Sequence, residues 1–203
     1  MAREVLQRLN GRRDTLEIPV GVSARHVHLS PEHVETLFGK GYQLTPIREL
    51  QPGEYAAKET VTIVGPRGVL QNVRVLGPPR AKTQVEISKT DGFQLGLDPP
   101  VRDSGNHVDT PGCVIVGPHG AVKLEQGVIC AMRHIHLPSE MAEQLGLKDR
   151  DVVRVKTSTG ERKVLFEDVL VRVSPNFILE MHVDTDEANA AGLKTGDRVR
   201  LAG

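Results

Sequence analysis

Tryptophan is absent from this 203-residue chain, and two tyrosines and four phenylalanines leave aromatics at 3%. So thin a supply argues against a surface on which nucleic-acid bases stack. Charge of one sign is also missing: 26 Lys and Arg face 26 Asp and Glu, so nothing global draws the chain to nucleic acid or to a membrane surface. The two cysteines, Cys113 and Cys130, form neither a CxxC spacing nor a disulfide framework, which favours a reducing, cytoplasmic compartment. Both alternate with apolar strand residues and read as small core side chains. No apolar run approaches the roughly 20 residues that span a bilayer, and no secretory core is present, so no membrane partner is expected.

What the chain does have is short β-rich runs cut by Gly-Pro turns. They include VTIVGPRG at 61–68, VRVLGPP at 73–79, VIVGPHG at 114–120, VVRVKTSTG at 152–160 and VLVRVSPN at 169–176. Alternating Val, Ile and Leu with such punctuation predicts many short antiparallel strands, hence barrels or sandwiches. Helical patterns are brief, as in PEHVETLFG (31–39) and SEMAEQLG (139–146). At the start, Val5, Leu6 and Leu9 fall on one helical face before Gly11 ends the pattern. Residues 1–13 thus read as a short basic amphipathic segment, either a surface helix or a docking or targeting peptide.

One arrangement recurs. VSARHVHLSPE (22–32) and CAMRHIHLPSE (130–140) both carry Arg-His-x-His-Leu. His136 lies ten residues before Gly146, His182 ten before Gly192, Glu86 ten before Gly96, and His28 eleven before Gly39. A strand running into a capped helical turn and a glycine stop therefore appears four times, each with a metal-capable side chain near the strand's end. Period two puts His26 and His28 on one strand face, and likewise His134 and His136. If the four strand ends converge, His26, His28, Glu86, His134, His136 and His182 meet. Six protein ligands exceed what one tetrahedral zinc takes and suit two metal ions. Five imidazoles with one carboxylate favour zinc or another late transition metal over magnesium or calcium. The plain alternative is a set of hydrogen-bonded strand histidines. His33, His107 and His119 fall outside the repeat and read as surface residues.

Two other folds use HxH. A cupin adds a Glu about four residues on, and a bicupin-like enzyme or sensor is the alternative here because Glu32 and Glu140 sit at that spacing. However, Ser30-Pro31 reads as an N-cap and first helical residue, and Ser139 as an N-cap. Both glutamates then belong to a first helical turn rather than to a metal site. An amidohydrolase barrel needs about 250 residues and long regular helices, and this chain has neither.

At these residues the chain resembles the phosphate propanoyltransferase family of phosphotransacylases. The resemblance runs from IPVGVSARHVHLS (18–30) through TVTIVGPRG, VRVLGPPRAKTQVEIS (73–88), DPPVRDSG (98–105) and GVICAMRHIHLP (127–138) to LEMHVDTDEANAAGL (179–193). It implies a mainly β fold of two small β-barrels capped by short α-helices, with the active site in the cleft between them. It also implies a swapped chain path: residues 15–24 join 132–203 in one barrel, 25–131 form the other, and 1–14 stand apart as the amphipathic segment.

The implied reaction interconverts a short-chain acyl-CoA and phosphate with acyl phosphate and coenzyme A, without nucleic acid or membrane. Two zinc ions are implied, His26 and His28 holding one, whose open position takes the coenzyme A sulfur, and Glu86, His134, His136 and His182 holding the other. Arg80 matches the arginine that contacts phosphate and is the candidate catalytic residue. Ser23, Arg74, Leu76 and Asn189 match positions that line the coenzyme A site. Two Zn²⁺ and one carboxylate leave a formal charge of about +3, which suits an anionic nucleophile and a developing oxyanion. Residues 1–13, short and arginine-rich, are where the chain is least typical of the family. Whether they lead into a bacterial microcompartment, with a shell or lumen partner, as such helices do in some relatives, or the enzyme stays in the cytosol is open at this level. The preferred acyl group and any homo-oligomer stay open at this level.

Overall fold

The computed structural model describes residues 15–158 and 161–202. The amphipathic segment expected over residues 1–14 lies outside them. The described chain is mainly β and divides into two compact units, one of the residues up to Ser23 with those from Met132 onward, the other Ala24–Ala131.

In the first unit six strands close into a barrel in the order β1 (Glu17–Ser23), β14 (Glu180–Asp184), β11 (His134–Pro138), β13 (Leu165–Ser174), β12 (Val152–Thr157) and β15 (Arg198–Ala202). β15 returns antiparallel to β1, and β1 runs parallel to β14 with Val20 beside Met181. Alternation does the sorting: Ile18, Val20, Ile135, Leu137, Met181 and Val183 fill the core. That leaves His134, His136 and His182 on the other faces of their strands.

The second unit is a nine-stranded half-barrel sheet. Its strands are β2 (His26–His28), β3 (Pro46–Gln51), β4 (Glu54–Val64), β5 (Val69–Gly77), β6 (Gln84–Glu86), β7 (Val101–Arg102), β8 (Cys113–Val116), β9 (Ala121–Leu124) and β10 (Val128–Ala131). They run in the order β7-β10-β6-β2-β5-β4-β8-β9, with β3 paired to β4. Val27, Val75 and Val85, at the middles of neighbouring strands, are fully buried in its core.

Each of the four expected strand-to-helix units is present. β2 leads to α1 (Pro31–Phe38), β6 to α2 (Lys89–Leu95), β11 to α3 (Ser139–Leu145) and β14 to α4 (Thr185–Ala191). Ser30 caps α1 with Pro31 in its first turn. Ser88 and Asp184 head reciprocal capping boxes with Asp91 and Glu187. Gly96, Gly146 and Gly192 end their helices in the left-handed conformation, which only glycine adopts without strain. One expectation shifts: Ser139 is the first helical residue rather than the cap. Pro138 occupies the cap with no side-chain hydrogen bond to offer, since it has no hydroxyl.

The arginines of the two Arg-His-x-His motifs work within this frame. Arg25 pairs with Asp91 at 3.0 Å and Arg133 with Glu187 at 2.7 Å. Both partners are the acidic members of capping boxes, so each arginine ties the start of an HxH strand to the helix that follows the neighbouring strand. The Gly-Pro turns do a related job. The backbone N–H of Arg67 donates to the Leu95 carbonyl and that of His119 to the Leu37 carbonyl, each at 3.0 Å. These bonds satisfy carbonyls that the ends of α2 and α1 would otherwise leave unpaired. Among the described residues no helix is long and apolar enough to cross a membrane.

Candidate metal centres

In the second unit, antiparallel pairing sets His26 opposite Glu86 and His28 opposite Gln84. Parallel pairing of β2 with β5 sets His26 beside Arg74 and His28 beside Leu76. Directly paired residues share a sheet face, so one face gathers all six. His26 Nε2 lies 3.4 Å from one Glu86 carboxylate oxygen and His28 Nε2 3.6 Å from the other. His26 Nδ1 is 2.9 Å from the Ala24 carbonyl. A carbonyl only accepts, so Nδ1 carries the hydrogen and Nε2 keeps its lone pair for a ligand.

Glu86 is held from behind. Gln84 Nε2 donates to its Oε1 at 2.6 Å and the Ser104 hydroxyl donates to the same oxygen at 3.1 Å. The Gln84 carbonyl accepts from the Gly105 N–H at 2.7 Å and from His107 Nε2 at 2.8 Å. His107 is accordingly buried, not the surface turn residue expected, because the buried amide of Gln84 draws it in; burial lowers its pKa. Burial opposes ionisation of Glu86, yet the charge of His26 and the hydrogen bonds of His26 and His28 hold its carboxyl well below the usual range. Burial likewise opposes a charge on His26, but Glu86 outweighs it and the pKa rises; at His28 burial prevails and the pKa falls. Arg80 joins this network from its edge, donating to Ser104 Oγ at 3.2 Å and pairing with Glu54 at 3.0 Å.

The first unit repeats the arrangement. β11 and β14 pair antiparallel with His134 opposite His182 and His136 opposite Glu180. The ring centroids of His134, His136 and His182 are 4.7–5.1 Å apart. His134 Nδ1 sits 2.8 Å from the Met132 carbonyl, two residues back, as His26 does with Ala24. Phe177 stacks on the His136 ring at 4.3 Å. Burial, with the positive fields of His134, His182 and Arg172, lowers the His136 pKa to about 2. Its buried Nδ1 has no hydrogen-bond partner. A buried ring nitrogen without a partner is costly, and a metal ion would satisfy it.

In each group one donor atom per residue lies within 4.8 Å of the others. His134, His136 and His182 form one group, and His26, His28 and Glu86 the other. The structure thus places the six predicted donors in two threes, with Glu86 within reach of His26 and His28. A carboxylate held ionised, with His28 and His136 rings that burial keeps from protonating, supplies ligand forms that a late transition metal needs. Glu32 and Glu140 are exposed in the first turns of α1 and α3, which removes the fourth donor a cupin would need.

Of the remaining candidates, Ser23 ends β1 beside Asp184, and Asn189 is exposed on α4. Leu76 is half-buried, and the Arg74 guanidinium donates to the Ala57 and Lys58 carbonyls at 3.0 and 2.7 Å. His33 is half-buried against Thr83 Oγ1 at 2.7 Å, and His119 is exposed. Both cysteines are buried outside any disulfide, and burial pushes the Cys113 thiol up to about 12, leaving it inert. Sequence reasoning passed over Gln84, Ser104, Glu180 and Phe177. Gln84 and Glu180 each stand two residues before a ligand, where strand alternation places them on the ligand's face. Phe177 carries no local signal.

Comparison with known proteins adds an independent line. The family model for phosphate propanoyltransferase matches residues 19–194. A protein of that name from Thermotoga maritima is 62% identical across 98% of this chain and 94% of its own length. Others from Priestia megaterium and Lachnoclostridium phytofermentans are 53% and 48% identical, over 96% and 99% of this chain and 90% and 94% of theirs.

The depressed pKa of His136 has a measurable consequence for the metal-free protein. Folded, the ring stays neutral down to about pH 2; unfolded, it takes a proton below its ordinary 6.5. The unfolded state therefore binds more protons at low pH, and stability falls as pH drops below 6.5, by up to about 1.4 kcal/mol per pH unit from this group. Urea melts of wild type and His136→Gln between pH 5 and 7.5 should diverge, with the variant flatter. Parallel curves would show that His136 protonates in the folded state.

Proposed function

The chain belongs to the phosphate propanoyltransferase family and is a phosphotransacylase, and from that premise we propose that it interconverts propanoyl-CoA or acetyl-CoA and phosphate with acyl phosphate and coenzyme A, using two zinc ions. His134, His136 and His182 would hold one ion, and His26, His28 and Glu86 the other. The observation that supports this most directly is the pair of three-donor groups built on a duplicated frame, one of them with a buried His136 nitrogen that has no partner.

In the transfer a phosphate oxygen bonds to the thioester carbonyl carbon, the carbon–sulfur bond breaks, and coenzyme A leaves as a thiolate. Zinc at these donors would supply Lewis acidity toward the carbonyl oxygen and a cation for the sulfur. The protein's own groups supply binding and orientation. Arg80 follows Pro78 and Pro79, whose fixed backbone stiffens its approach, and its backbone N–H is tied to the Leu29 carbonyl at 2.9 Å. Its planar fork matches two phosphate oxygens. Glu54 occupies part of that fork through a half-exposed ion pair; such pairs contribute little, so an incoming phosphate displaces the carboxylate at small cost. Ser104 bridges Arg80 to Glu86 and so couples the placement of phosphate to that of a metal ligand. Leu76 and Arg74, on the face of His26 and His28, together with Ser23 and Asn189, are proposed to contact coenzyme A. No separate acyl-enzyme nucleophile is required.

The decisive experiment is phosphate-dependent release of free thiol from propanoyl- and acetyl-CoA, combined with elemental analysis. Two zinc equivalents per chain are expected, with turnover abolished by a chelator and restored by zinc. A fully active preparation holding one metal or none would end the two-zinc reading.

Arg80→Lys keeps the charge but loses the fork. With phosphate varied at saturating acyl-CoA, kcat/KM for phosphate should fall on the order of tenfold to a hundredfold, as expected for one charge-assisted hydrogen bond. Coenzyme A affinity should hold. Unchanged phosphate kinetics with coenzyme A binding lost would move Arg80 to the nucleotide side.

Residues 1–13 are further proposed to address the enzyme to a microcompartment, on the strength of their amphipathic sequence alone. A fluorescent reporter carrying them should co-localise with microcompartment shells; a diffuse signal in cells that assemble shells removes the assignment.

A further inference from the structure

The two three-donor groups correspond in register and differ in one donor. β2 pairs with β6 as β11 pairs with β14, so His26 corresponds to His134 and His28 to His136. By the same pairing Glu86 corresponds to His182 and Gln84 to Glu180. In one group the Gln84 amide donates to Glu86 at 2.6 Å. In the other the Glu180 carboxylate lies 2.7 Å from Nε2 of His182. The polarity is reversed to suit the ligand: an amide donor supports a carboxylate, and a carboxylate acceptor supports an imidazole.

From this correspondence we infer that Glu180 is a positioning residue for the first unit's metal group, accepting the Nε2–H of His182 and leaving Nδ1 as the nitrogen with the lone pair. Strand geometry alone would bring the two side chains to one face, since they are two residues apart. A further device brings them into contact. Gly21 lies beside His182 in β1, and a Cβ there would stand 2.8 Å from the Glu180 carboxyl carbon and 2.9 and 3.1 Å from its oxygens. The missing side chain is the space in which the carboxylate lies. Outer carboxylates of this kind fix the ring's tautomer and orientation and raise its basicity as a ligand.

The inference rests on the reading that the histidine group binds zinc, and the test keeps the two apart. Zinc affinity is measured by competition with a chromophoric chelator in the full chain carrying His28→Ala, which disables the other group, and His136→Ala is added as the negative control. Glu180→Ala should weaken binding tenfold to a hundredfold, the usual effect of losing such a partner. Glu180→Gln should recover most of it, because the amide oxygen accepts the same hydrogen bond but is a poor zinc ligand. Gly21→Ala should imitate Glu180→Ala, since the new methyl displaces only the flexible end of Glu180 and leaves the backbone undisturbed. In the metal-free protein, imidazole ¹⁵N shifts should report His182 as the Nε2–H tautomer, giving way to a tautomer mixture in Glu180→Ala. Unchanged affinity in Glu180→Ala overturns the inference while leaving the zinc reading intact. A Gln variant no better than Ala also overturns it, because the carboxylate would then be needed for its charge or as a ligand. No zinc binding at all in the His28→Ala parent overturns the reading and the inference together.

Discussion

Everything chemical in this protein depends on one feature of β-sheets: residues paired directly across two strands share a face. Antiparallel pairing of β2 with β6 and of β11 with β14 places the second strand's donor opposite the first histidine of each HxH. A one-residue slip would turn every one of these side chains into the core and bring Val27, Val85, Ile135 and Met181 out. Because those four are almost completely buried, the hydrophobic core enforces the register. The donor geometry is thus secured by apolar packing on the opposite face.

The price of this arrangement is polar burial, and the structure answers it unequally. An ionised carboxylate out of water is expensive unless it is paired and hydrogen-bonded. Glu86 is surrounded by the rings of His26 and His28, the Gln84 amide and the Ser104 hydroxyl. The histidine group takes the other course. His134 and His182 each have an oxygen partner at one ring nitrogen, but His136 Nδ1 is left without a hydrogen bond. A ligand that satisfies it only in the folded state stabilises the fold by mass action, so metal binding and folding are thermodynamically linked.

Much of this was legible in the sequence because it is written locally. The four strand-helix-glycine units, the capping residues Ser30 and Pro31, the shared face of each HxH and the donors on β6 and β14 follow from spacing and residue type. The cap of α3 was misplaced by one because Ser139 has the right chemistry but stands one position too late, after Pro138. What could not be read is non-local. His107 looks like a turn residue until Gln84, 23 positions away, takes its ring as a partner. Arg25 and Arg133 gain their partners only when the register brings Asp91 and Glu187 within reach. The pairing of Glu86 with His26 and His28 likewise depends on which strand lies beside β2, a choice made by the whole sheet.

The position of β1 bears on how the chain assembles. β1 is the first described strand, yet its neighbours are β14 and β15, the last two. During synthesis it emerges long before either partner exists, while every strand of the second unit, from His26 to Ala131, becomes available in one continuous stretch. The second unit can therefore complete its sheet before β1 has a partner, while β1 carries side chains such as Ile18 and Val20 that the finished barrel buries. Such a segment is a hazard for edge-to-edge association on the ribosome. Barrel closure has to wait for β14 and β15 and joins residues more than a hundred and fifty positions apart, a loop that is entropically slow rather than forbidding to close. A ribosome that stalls before β14 leaves the second unit's donor trio assembled on a chain that cannot yet make the first.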